Sequence, residues 1–489
     1  MKQPDDILDH VLFNLSPVDP VSIRQAAEGI LIMASPGAGK TANVGKTVAY
    51  SLLRTPGSGG LVLTAKGTEV DTFRRYARAC SREQDFIYFS ADSGHAFDPI
   101  YYLWNAGRGA RDLETIVEFF DTLLSIGRQH VGVSTDRFWE LSVAALIRSV
   151  LILLSLAGKA ISIISIHEVI ESLPQSPEQA DDENWGKTAK CSVLLTEIKK
   201  RRSTLKETEW KDLDYASEFL LERWPNFDVK PRSSVEFTWV GMAHKFLFGK
   251  LRDCFSSGRC TFAPEMAAIQ GKWIVVDFPM LQYGIETGRF INILLKECFS
   301  RGWLRRDLRQ SRTLLVLWQD EFQAFLSPKS IDLLFAQTAR ESIITNVCLT
   351  QNILGVAEAL GEPEPGSKTK GYLGNLANHF YLQQNEVTSA TYASEKIGKH
   401  YRYLENFNAS STQFEQQQQA SVGGSQQLVY KVEPSEFSRL IKPDNTQPCA
   451  EAIVYQGGKH FNATKTPRNP EGTNYLRVAF SRDIEGAKS

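Results

Sequence analysis

The chain has 489 residues with a formal net charge of −1 at pH 7, and 42% of its residues are hydrophobic while 23% are charged. These values are typical of a globular protein that is too long for a single simple core, so two domains, or one large domain with an insertion, are expected. They exclude a globally basic protein, so nucleic acid could be bound only by a local patch or by several subunits that concentrate charge.

The cysteines and the apolar segments indicate the compartment. The seven cysteines show no C-x-x-C spacing, which favours free thiols in a reducing compartment over disulfides or zinc sites. The N-terminal residues 1–6 lack the apolar segment of a signal peptide. The most apolar stretch, residues 143–156, is shorter than the roughly 20 residues that a membrane-spanning helix needs, and it contains Arg148. A cytoplasmic chain without a membrane span is therefore expected.

The first predicted strand of the sheet, residues 30–34, runs into a glycine-rich loop that opens a helix. The sequence ASPGAGKT departs from the phosphate-loop pattern G-x-x-x-x-G-K-[ST] only at its first position, where Ala34 replaces glycine. In such a loop the backbone N–H groups surround phosphate oxygens, the lysine contacts the β- and γ-phosphates, and the threonine hydroxyl binds Mg²⁺. Ala34 is compatible with this geometry if its φ stays negative. The residues expected to bind the nucleotide are Pro36, Gly37, Ala38, Gly39, Lys40 and Thr41, with Thr41 also a magnesium ligand.

Strands and helices alternate after the loop and then give way to helices alone. Buried strands are predicted at residues 61–65 and 86–89, and their alternation with helices indicates a parallel sheet. From about residue 110 to 258 the periodicity is mostly helical. Within this segment Lys199-Lys200-Arg201-Arg202 is a basic cluster, for which a solvated helix face and a nucleic-acid contact are both open interpretations. Further strands are predicted at residues 273–278, 314–321, 345–350, 379–382, 452–455 and 476–480.

This order predicts an α/β fold in which a mostly parallel central sheet is flanked by helices and interrupted by an all-α domain. We expect residues 1–109 to form the first part of the nucleotide-binding domain and residues 110–259 to form the inserted helical domain. Residues 260–489 would then complete the nucleotide-binding domain. Residues 403–429 are rich in Gln, Ser and Asn, which predicts a mobile loop.

Two carboxylates end the apolar strand 314–321, well downstream of the phosphate loop. NTP hydrolysis needs one carboxylate that helps hold Mg²⁺ and another that polarises the attacking water, and we expect Asp320 and Glu321 to fill these roles in that order. Gln351 ends the following strand, from which its side chain could contact the γ-phosphate. A strand-end glutamine that only hydrogen-bonds a loop is an equally open interpretation.

Arg340 lies between these two strands, on the helix predicted after the acidic one. In a ring-shaped ATPase an arginine at this position can reach the γ-phosphate of a neighbouring subunit and stabilise transition-state charge. The alternative is a surface salt bridge with Glu341 or Asp332.

The ordered set of motifs resembles a known family. It comprises ASPGAGKT, LVLTAKG, FDP, a helical insertion, WIVVDFP, LVLWQDEFQAF, ARESIITNVCLTQN and GNLANHFYLQQNEVTSATYASEKIG. This order, from about residue 28 to 480, is similar to that of the TraG/TraD-type coupling proteins of type IV secretion, a branch of the FtsK/HerA-like P-loop ATPases. Two features depart from the family: transmembrane helices at the start are lacking, and Ala65 stands where an acidic residue usually precedes the lysine of LTAKG.

The resemblance implies a RecA-like nucleotide-binding domain, assembled as a hexamer or another ring of identical subunits. It implies ATP hydrolysis with Mg²⁺, with Asp320 and Glu321 as the acidic pair, Arg340 as the finger supplied in trans and Gln351 as the sensor. It also implies translocation of single-stranded DNA, or of a relaxase-like nucleoprotein, towards a membrane channel. Without a membrane span, contact with that channel and with the inner membrane would come through another protein.

A second functional class stays open at this point. The near-neutral charge and the missing anchor also fit a nucleotide-gated oligomeric module that recruits a protein partner without DNA motor activity, in a mobile element or a defence complex. A small-molecule kinase is less favoured, because a P-loop kinase rarely needs such a long helical insertion or an Arg–Gln pair after the acidic strand.

Overall fold

The computed structural model describes residues 6–105, 113–128, 137–327, 330–410 and 419–483 of the chain. The strands in these ranges, numbered in chain order, are β1 (Val11–Ser16), β2 (Asp19–Ser22), β3 (Ile30–Met33), β4 (Gly59–Leu63), β5 (Phe86–Phe89), β6 (Trp273–Val276), β7 (Leu315–Gln319), β8 (Ile344–Thr350), β9 (Asn378–Tyr381), β10 (Lys399–Ser410), β11 (Gln419–Tyr430), β12 (Cys449–Gln456) and β13 (Tyr475–Ser481).

The α-helices of the same ranges are α1 (Ile23–Ala26), α2 (Lys46–Arg54), α3 (Gly67–Ala79), α4 (Pro99–Asn105), α5 (Leu113–Arg128), α6 (Arg137–Leu156), α7 (Ile163–Glu171), α8 (Pro177–Ala180), α9 (Glu183–Thr188), α10 (Lys190–Lys200), α11 (Glu207–Glu218), α12 (Val229–Ala243), α13 (Gly249–Phe255), α14 (Pro264–Gln270), α15 (Met280–Tyr283), α16 (Ile285–Leu304), α17 (Asp332–Thr338), α18 (Ile353–Ala359), α19 (Ser367–Gly374), α20 (Val387–Ile397) and α21 (Pro434–Ser438). None of these described helices is both long enough and apolar enough to cross a bilayer.

The chain forms two compact units. Unit 1 comprises residues 1–52, 345–358 and 362–489, and unit 2 comprises residues 53–344 and 359–361. This division differs from the predicted boundaries at 109/110 and 259/260, because the helices of the predicted insertion share a unit with four strands. The predicted domain boundaries stay a prediction.

The sheet of unit 1 has the strand order β13-β12-β9-β3-β8. The strand β3 lies in parallel between β8 and β9, with Met33 opposite both Thr350 and Tyr381. The strands β12 and β13 continue the sheet beyond β9 in antiparallel pairing. All four residues of β3 are buried, as expected for a central strand of a sheet that is covered on both faces.

The sheet of unit 2 has the order β7-β4-β6-β5, and its neighbouring strands are all parallel. One apolar core continues from these strands into the helices that follow β5. In this core the ring of Phe89 on β5 packs 5.3 Å from that of Phe255 on α13, measured between centroids. Farther along, Phe120 of α5 packs 5.3 Å from Trp239 of α12. This continuity explains why the helices do not separate from the strands as a unit of their own.

The predicted α/β class with mostly parallel strands and flanking helices is confirmed. The prediction of a loop over residues 403–429 is wrong. The loop predicted over residues 403–429 is an antiparallel pair for residues 403–410 and 419–429, which belong to β10 and β11. Residues 411–418 lie outside the described residues. A composition rich in Gln and Ser predicted a loop, but cross-strand pairing satisfies the backbone hydrogen bonds of polar strands as well as those of apolar ones.

Candidate functional site

The loop after β3 has the backbone conformation that a phosphate loop needs. Gly37 and Gly39 have positive φ angles of 74° and 89°, which residues other than glycine rarely adopt. A Cβ at Gly39 would also lie 2.7 Å from the Cβ of Ala450, so the close approach of β12 requires glycine here. Ala34 does not have a positive φ, and its N–H donates to the carbonyl of Thr350 at 3.1 Å. Alanine therefore fits the first position of the motif.

Neighbouring segments of unit 1 hold this loop in place. The N–H of Ser35 donates to the carbonyl of Gln383 at 2.9 Å, and the hydroxyl of Ser35 accepts a hydrogen bond from the N–H of Asn385 at 2.8 Å. The N–H of Ala38 donates to the carbonyl of Ser35 at 3.1 Å. Residues 383–385 directly follow β9, so the register of β9 beside β3 sets the position of the loop. Sequence reasoning did not identify the contacts of Ser35 with Gln383 and Asn385, because they join residues about 350 positions apart.

The helix that follows the loop opens with a π-helical turn, Lys40–Gly45, which continues into α2. Asn43 in this turn is fully buried, and its Nδ2 donates to the carbonyls of Pro448 and Phe480, both at 2.8 Å. These two bonds tie the start of the helix to β12 and β13. Lys40 and Thr41 remain partly exposed at the N-terminal end of the helix, where the N–H groups and the helix dipole favour an anion.

Gln351 lies beside the phosphate loop. It is half-buried and follows β8, which pairs in parallel with β3 so that the two strands end side by side. Unit 1 therefore brings Gln351 and the loop together at the carboxyl edge of its sheet, where α/β folds place their ligands.

Residues Gly45-Lys46-Thr47 repeat the Gly-Lys-Thr ending of the phosphate-loop motif, but they lie within the helix that follows the loop. The hydroxyl of Thr47 bonds the carbonyl of Asn43 at 3.1 Å, and the ammonium of Lys46 donates to the carbonyl of Arg482 at 3.0 Å. Neither contact resembles a phosphate cradle, so Lys46 serves as a natural control for Lys40.

Asp320 and Glu321 follow β7 at the carboxyl edge of the sheet of unit 2, and both side chains are buried. Glu321 has a φ of 55°, which costs a residue with a side chain about 1–3 kcal/mol. Its Oε2 accepts a hydrogen bond from Nε2 of Gln323 at 2.8 Å. A strained residue held by its neighbours at a strand end is typical of a functional site.

A buried lysine fixes the segment that follows the acidic pair. Lys296 of α16 is fully buried, and its ammonium lies 2.5 Å from the carbonyl oxygen of Phe325 and 2.5 Å from Oδ1 of Asp332. Removing one partner of such a buried ion pair typically costs about 3–5 kcal/mol, because the other charge is left without compensation. Lys296 therefore holds both the turn after Glu321 and the first residue of α17.

Glu69 is a third carboxylate in this part of unit 2, and sequence reasoning missed it. Its Oε2 accepts hydrogen bonds from the N–H groups of Ala65 at 2.8 Å and Lys66 at 3.2 Å, just after β4. Burial raises the pKa of Glu69 well above its usual range, and the negative charge of Asp320 raises that pKa further. The signal in the sequence was a glutamate three residues after Lys66, the spacing of a capping box. Glu69 places a carboxylate against the backbone of Ala65.

Arg340 lies in the turn after α17, not on a helix as predicted, because α17 ends at Thr338. The side chain is exposed. The guanidinium of Arg306 donates to the carbonyls of Ser342 and Ile343 and thereby anchors the far end of this turn. An exposed arginine on an anchored turn has the accessibility that contact with another subunit would require.

The phosphate loop of unit 1 suits a nucleoside triphosphate with Mg²⁺, because the hydroxyl of Thr41 is an oxygen donor of the kind that Mg²⁺ prefers. Taken by itself, unit 2 offers the carboxylate oxygens of Asp320 and Glu321, which are donors of the same kind. The positive-φ glycines before Lys40 allow the backbone to curve around phosphate oxygens. When bound, Mg²⁺ would neutralise phosphate charge, and Lys40 would orient the β- and γ-phosphates.

Comparison with known proteins yields a match to a family model and similar solved structures. Residues 314–442 match the family model described as the TraM recognition site of TraD and TraG. No curated protein sequence matches the chain. The bacterial conjugative coupling protein TrwBdeltaN70 in its unbound form is similar in structure, with a TM-score of 0.57 at 12% identity over 99% of this chain and 92% of that one.

Two nucleotide complexes of the plasmid coupling protein TrwB are also similar. The complex with the non-hydrolysable ATP analogue ADPNP has a TM-score of 0.58 at 12% identity and covers 99% of this chain and 94% of that chain. The complex with ADP and Mg²⁺ has a TM-score of 0.60 at 11% identity, over 98% and 90% of the two chains. At these identities the likeness shows a shared fold. The predicted resemblance is confirmed: the chain is similar to the TraG/TraD-type coupling proteins, in fold over nearly its whole length and in sequence over residues 314–442.

Proposed function

We propose that this protein is a ring-forming ATPase that moves single-stranded DNA or a nucleoprotein. The phosphate loop carries the proposal, because its positive-φ glycines, its helix start and its contacts with the end of β8 and the segment after β9 fit a bound triphosphate. In this proposal Lys40 and Thr41 bind ATP and Mg²⁺. Asp320 assists the metal, Glu321 polarises the attacking water and Gln351 senses the γ-phosphate.

The DNA part of the proposal is supported by fold and by local charge. The similar structures are those of conjugative coupling proteins. The basic cluster 199–202 is exposed at the end of α10, and the guanidinium of Arg202 lies 4.4 Å above the ring of Trp210. Exposed cations next to aromatic rings are suited to nucleic acid, which a chain of net charge −1 can bind only locally.

The DNA part is tested by measuring ATP hydrolysis by the full chain with and without single-stranded DNA at low salt. Stimulation by DNA that weakens steeply as salt increases is expected, because phosphate contacts release counterions. A rate that does not change over a range of DNA lengths and concentrations would contradict the motor.

Glu321→Gln is expected to separate binding from turnover. The amide keeps the size of the side chain and its hydrogen bond with Gln323 but cannot accept a proton, so kcat should fall about 10²–10⁴-fold. Affinity for a fluorescent ATP analogue should stay within about threefold of that of the wild type. The matched control, Glu358→Gln, changes an exposed carboxylate on α18 and should leave both values unchanged. A Glu321→Gln protein with full turnover would remove Glu321 from catalysis.

A second candidate function is a nucleotide-gated module that recruits a protein. The description of the matched family region, a recognition site for TraM, favours it. Such a module would bind ATP through Lys40 and oligomerise, and its ATPase rate would be indifferent to DNA. The DNA-stimulation measurement separates the two candidates directly.

A further inference from the structure

The ribbon formed by β10 and β11 is a separate two-stranded sheet, with no third strand among the described residues. Its base is anchored within unit 1, where the N–H of Lys431 donates to the carbonyl of Gly398 at 3.0 Å and Nδ2 of Asn474 donates to the carbonyl of Ile397 at 2.8 Å. A hairpin of two strands alone is at best marginally stable in water. A large uncovered face on such a ribbon is therefore a candidate binding surface, because a ligand that covers it would stabilise the ribbon.

One face of the ribbon carries three large exposed side chains. Tyr401 and Tyr403 are two residues apart on β10, so both lie on the same face, and Leu428 is the direct cross-strand partner of Tyr401. Their exposed fractions are 71%, 62% and 55% respectively. Two tyrosines this exposed are unusual for residues that ordinarily bury most of their rings.

A glycine on β11 leaves space for the ring of Tyr403. A Cβ at Gly424 would overlap the ring of Tyr403, so glycine lets this ring lie close against β11. Most of the Tyr403 side chain nevertheless remains accessible. The ribbon thus positions the ring but does not bury it.

Two exposed cationic side chains lie near the tyrosines. Lys399 shares the face of Tyr401 and Tyr403, whereas Arg402 lies on the opposite face. The ammonium of Lys399 lies 4.5 Å from the ring centroid of Tyr430. Among the described side chains, Lys399 and Arg402 have no carboxylate within ion-pair distance. Strand β10 contains one acidic residue, Glu405, and β11 contains none. The exposed base of the ribbon therefore favours a polyanion.

The distance between the two tyrosine rings distinguishes single-stranded from double-stranded nucleic acid as the polyanion. Alternate residues of a strand are separated by about 6.8 Å, because the rise is about 3.4 Å per residue. The bases of one strand of a duplex are about 3.4 Å apart and are already stacked on each other. Rings at twice this spacing can each receive one base only if the bases are unstacked, as in an extended single strand.

We propose that the β10–β11 ribbon is a stacking platform for single-stranded nucleic acid. Tyr401 and Tyr403 each stack on one base, and Lys399, which lies on the same face, contacts a phosphate beside them. Leu428 extends the apolar surface under the base on Tyr401. This inference rests on the proposed function for its ligand class, and it names the surface that the strand contacts.

The inference is tested by the anisotropy of a labelled oligothymidylate that binds the full chain without nucleotide at low salt. Tyr401→Ala and Tyr403→Ala should each weaken binding roughly 10-fold, because each removes one base–aromatic stack. Tyr401→Phe should bind within about threefold of the wild type, because it keeps the ring. Lys399→Ala should reduce the slope of log affinity against log salt by about 0.7.

Gln427→Ala is the matched surface control, since Gln427 is exposed on the opposite face of the same ribbon. A second readout does not depend on affinity: photo-cross-linking with an oligonucleotide that contains 5-iododeoxyuridine should label Tyr401 or Tyr403. Wild-type affinity in both alanine variants, or cross-links confined to other segments, would overturn the inference. Loss of oligomeric mass in the alanine variants with unchanged DNA affinity would overturn it in favour of self-association.

The failure of this inference and that of the motor can be told apart. A wild-type protein that binds the oligonucleotide through the two tyrosines but shows no DNA-stimulated ATPase supports the ribbon and contradicts the motor. Stimulated hydrolysis together with normal binding by both alanine variants supports the motor and contradicts the ribbon. In either case, hydrolysis without DNA should be the same in the tyrosine variants and the wild type, which shows that they fold.

Discussion

Lys40→Ala should abolish nucleotide binding, whereas Lys46→Ala should leave it intact. Lys40 follows the positive-φ Gly39 at the start of the helix, where its ammonium can reach the β- and γ-phosphates. A hydrogen bond to a charged group contributes about 1.5–3 kcal/mol, so losing the contacts of the ammonium with both phosphates should lower affinity by about 10²–10⁴-fold. Lys46 lies six residues on within the helix, and its ammonium bonds the carbonyl of Arg482 and lies 5.3 Å from the ring of Tyr50.

The measurement is the affinity for a fluorescent ATP analogue, with ATP turnover measured in parallel. Both lysines occur in the same short motif, Gly-Lys-Thr. Comparing the two variants therefore controls for a general effect of losing a lysine near the loop. An equal loss in the two variants would show that the second motif also matters. Normal affinity in Lys40→Ala would remove the loop from nucleotide binding altogether.

Arg340→Ala should leave nucleotide affinity unchanged and lower kcat by about 10³–10⁵-fold, the range for arginine fingers. Arg340 is exposed in the turn between α17 and β8, and Arg306 anchors that turn. Its effect on transition-state charge should therefore appear in turnover and not in binding. The control, Arg309→Ala, removes an arginine that is 91% exposed and pairs only with Asp307 among the described residues.

Mixing two inactive proteins tests whether Arg340 acts in trans. A Lys40→Ala subunit cannot bind nucleotide but still presents Arg340, whereas an Arg340→Ala subunit binds nucleotide but lacks the finger. If the finger comes from the neighbour, mixed oligomers contain complete sites and regain part of the wild-type activity. Mixtures that stay as inactive as their components would place Arg340 in cis or outside the site.

Much of the fold could be predicted because parallel α/β sheets leave strong local signals. Buried strands such as Ile30–Met33 and Trp273–Val276 are continuous apolar runs, since both faces of the sheet are covered. The phosphate loop is equally local, because its chemistry depends on glycines and a lysine within eight residues. The roles of Asp320, Glu321, Arg340 and Gln351 stay predictions, although the structure places three of them directly after strands.

The contacts that support the loop could not be predicted, because they are long-range. Asn43 bonds carbonyls about 400 residues away, and Ser35 bonds Gln383 and Asn385. Glu69 was missed for a different reason: a glutamate in the first turn of a helix is ordinary, and only its burial beside Asp320 makes it unusual.

By itself, the sequence determined the α/β class, the positions of strands β3 to β9, β12 and β13, and the position of the phosphate loop, because these depend on periodicity and on motifs within a few residues. Only the tertiary structure decided the division into two units, the place of Arg340 in a turn and the ribbon from Lys399 to Tyr430. The ribbon shows the reason most clearly. A polar, glutamine-rich segment carries no signal of apolar burial, and its pairing comes from backbone hydrogen bonds that no composition reveals.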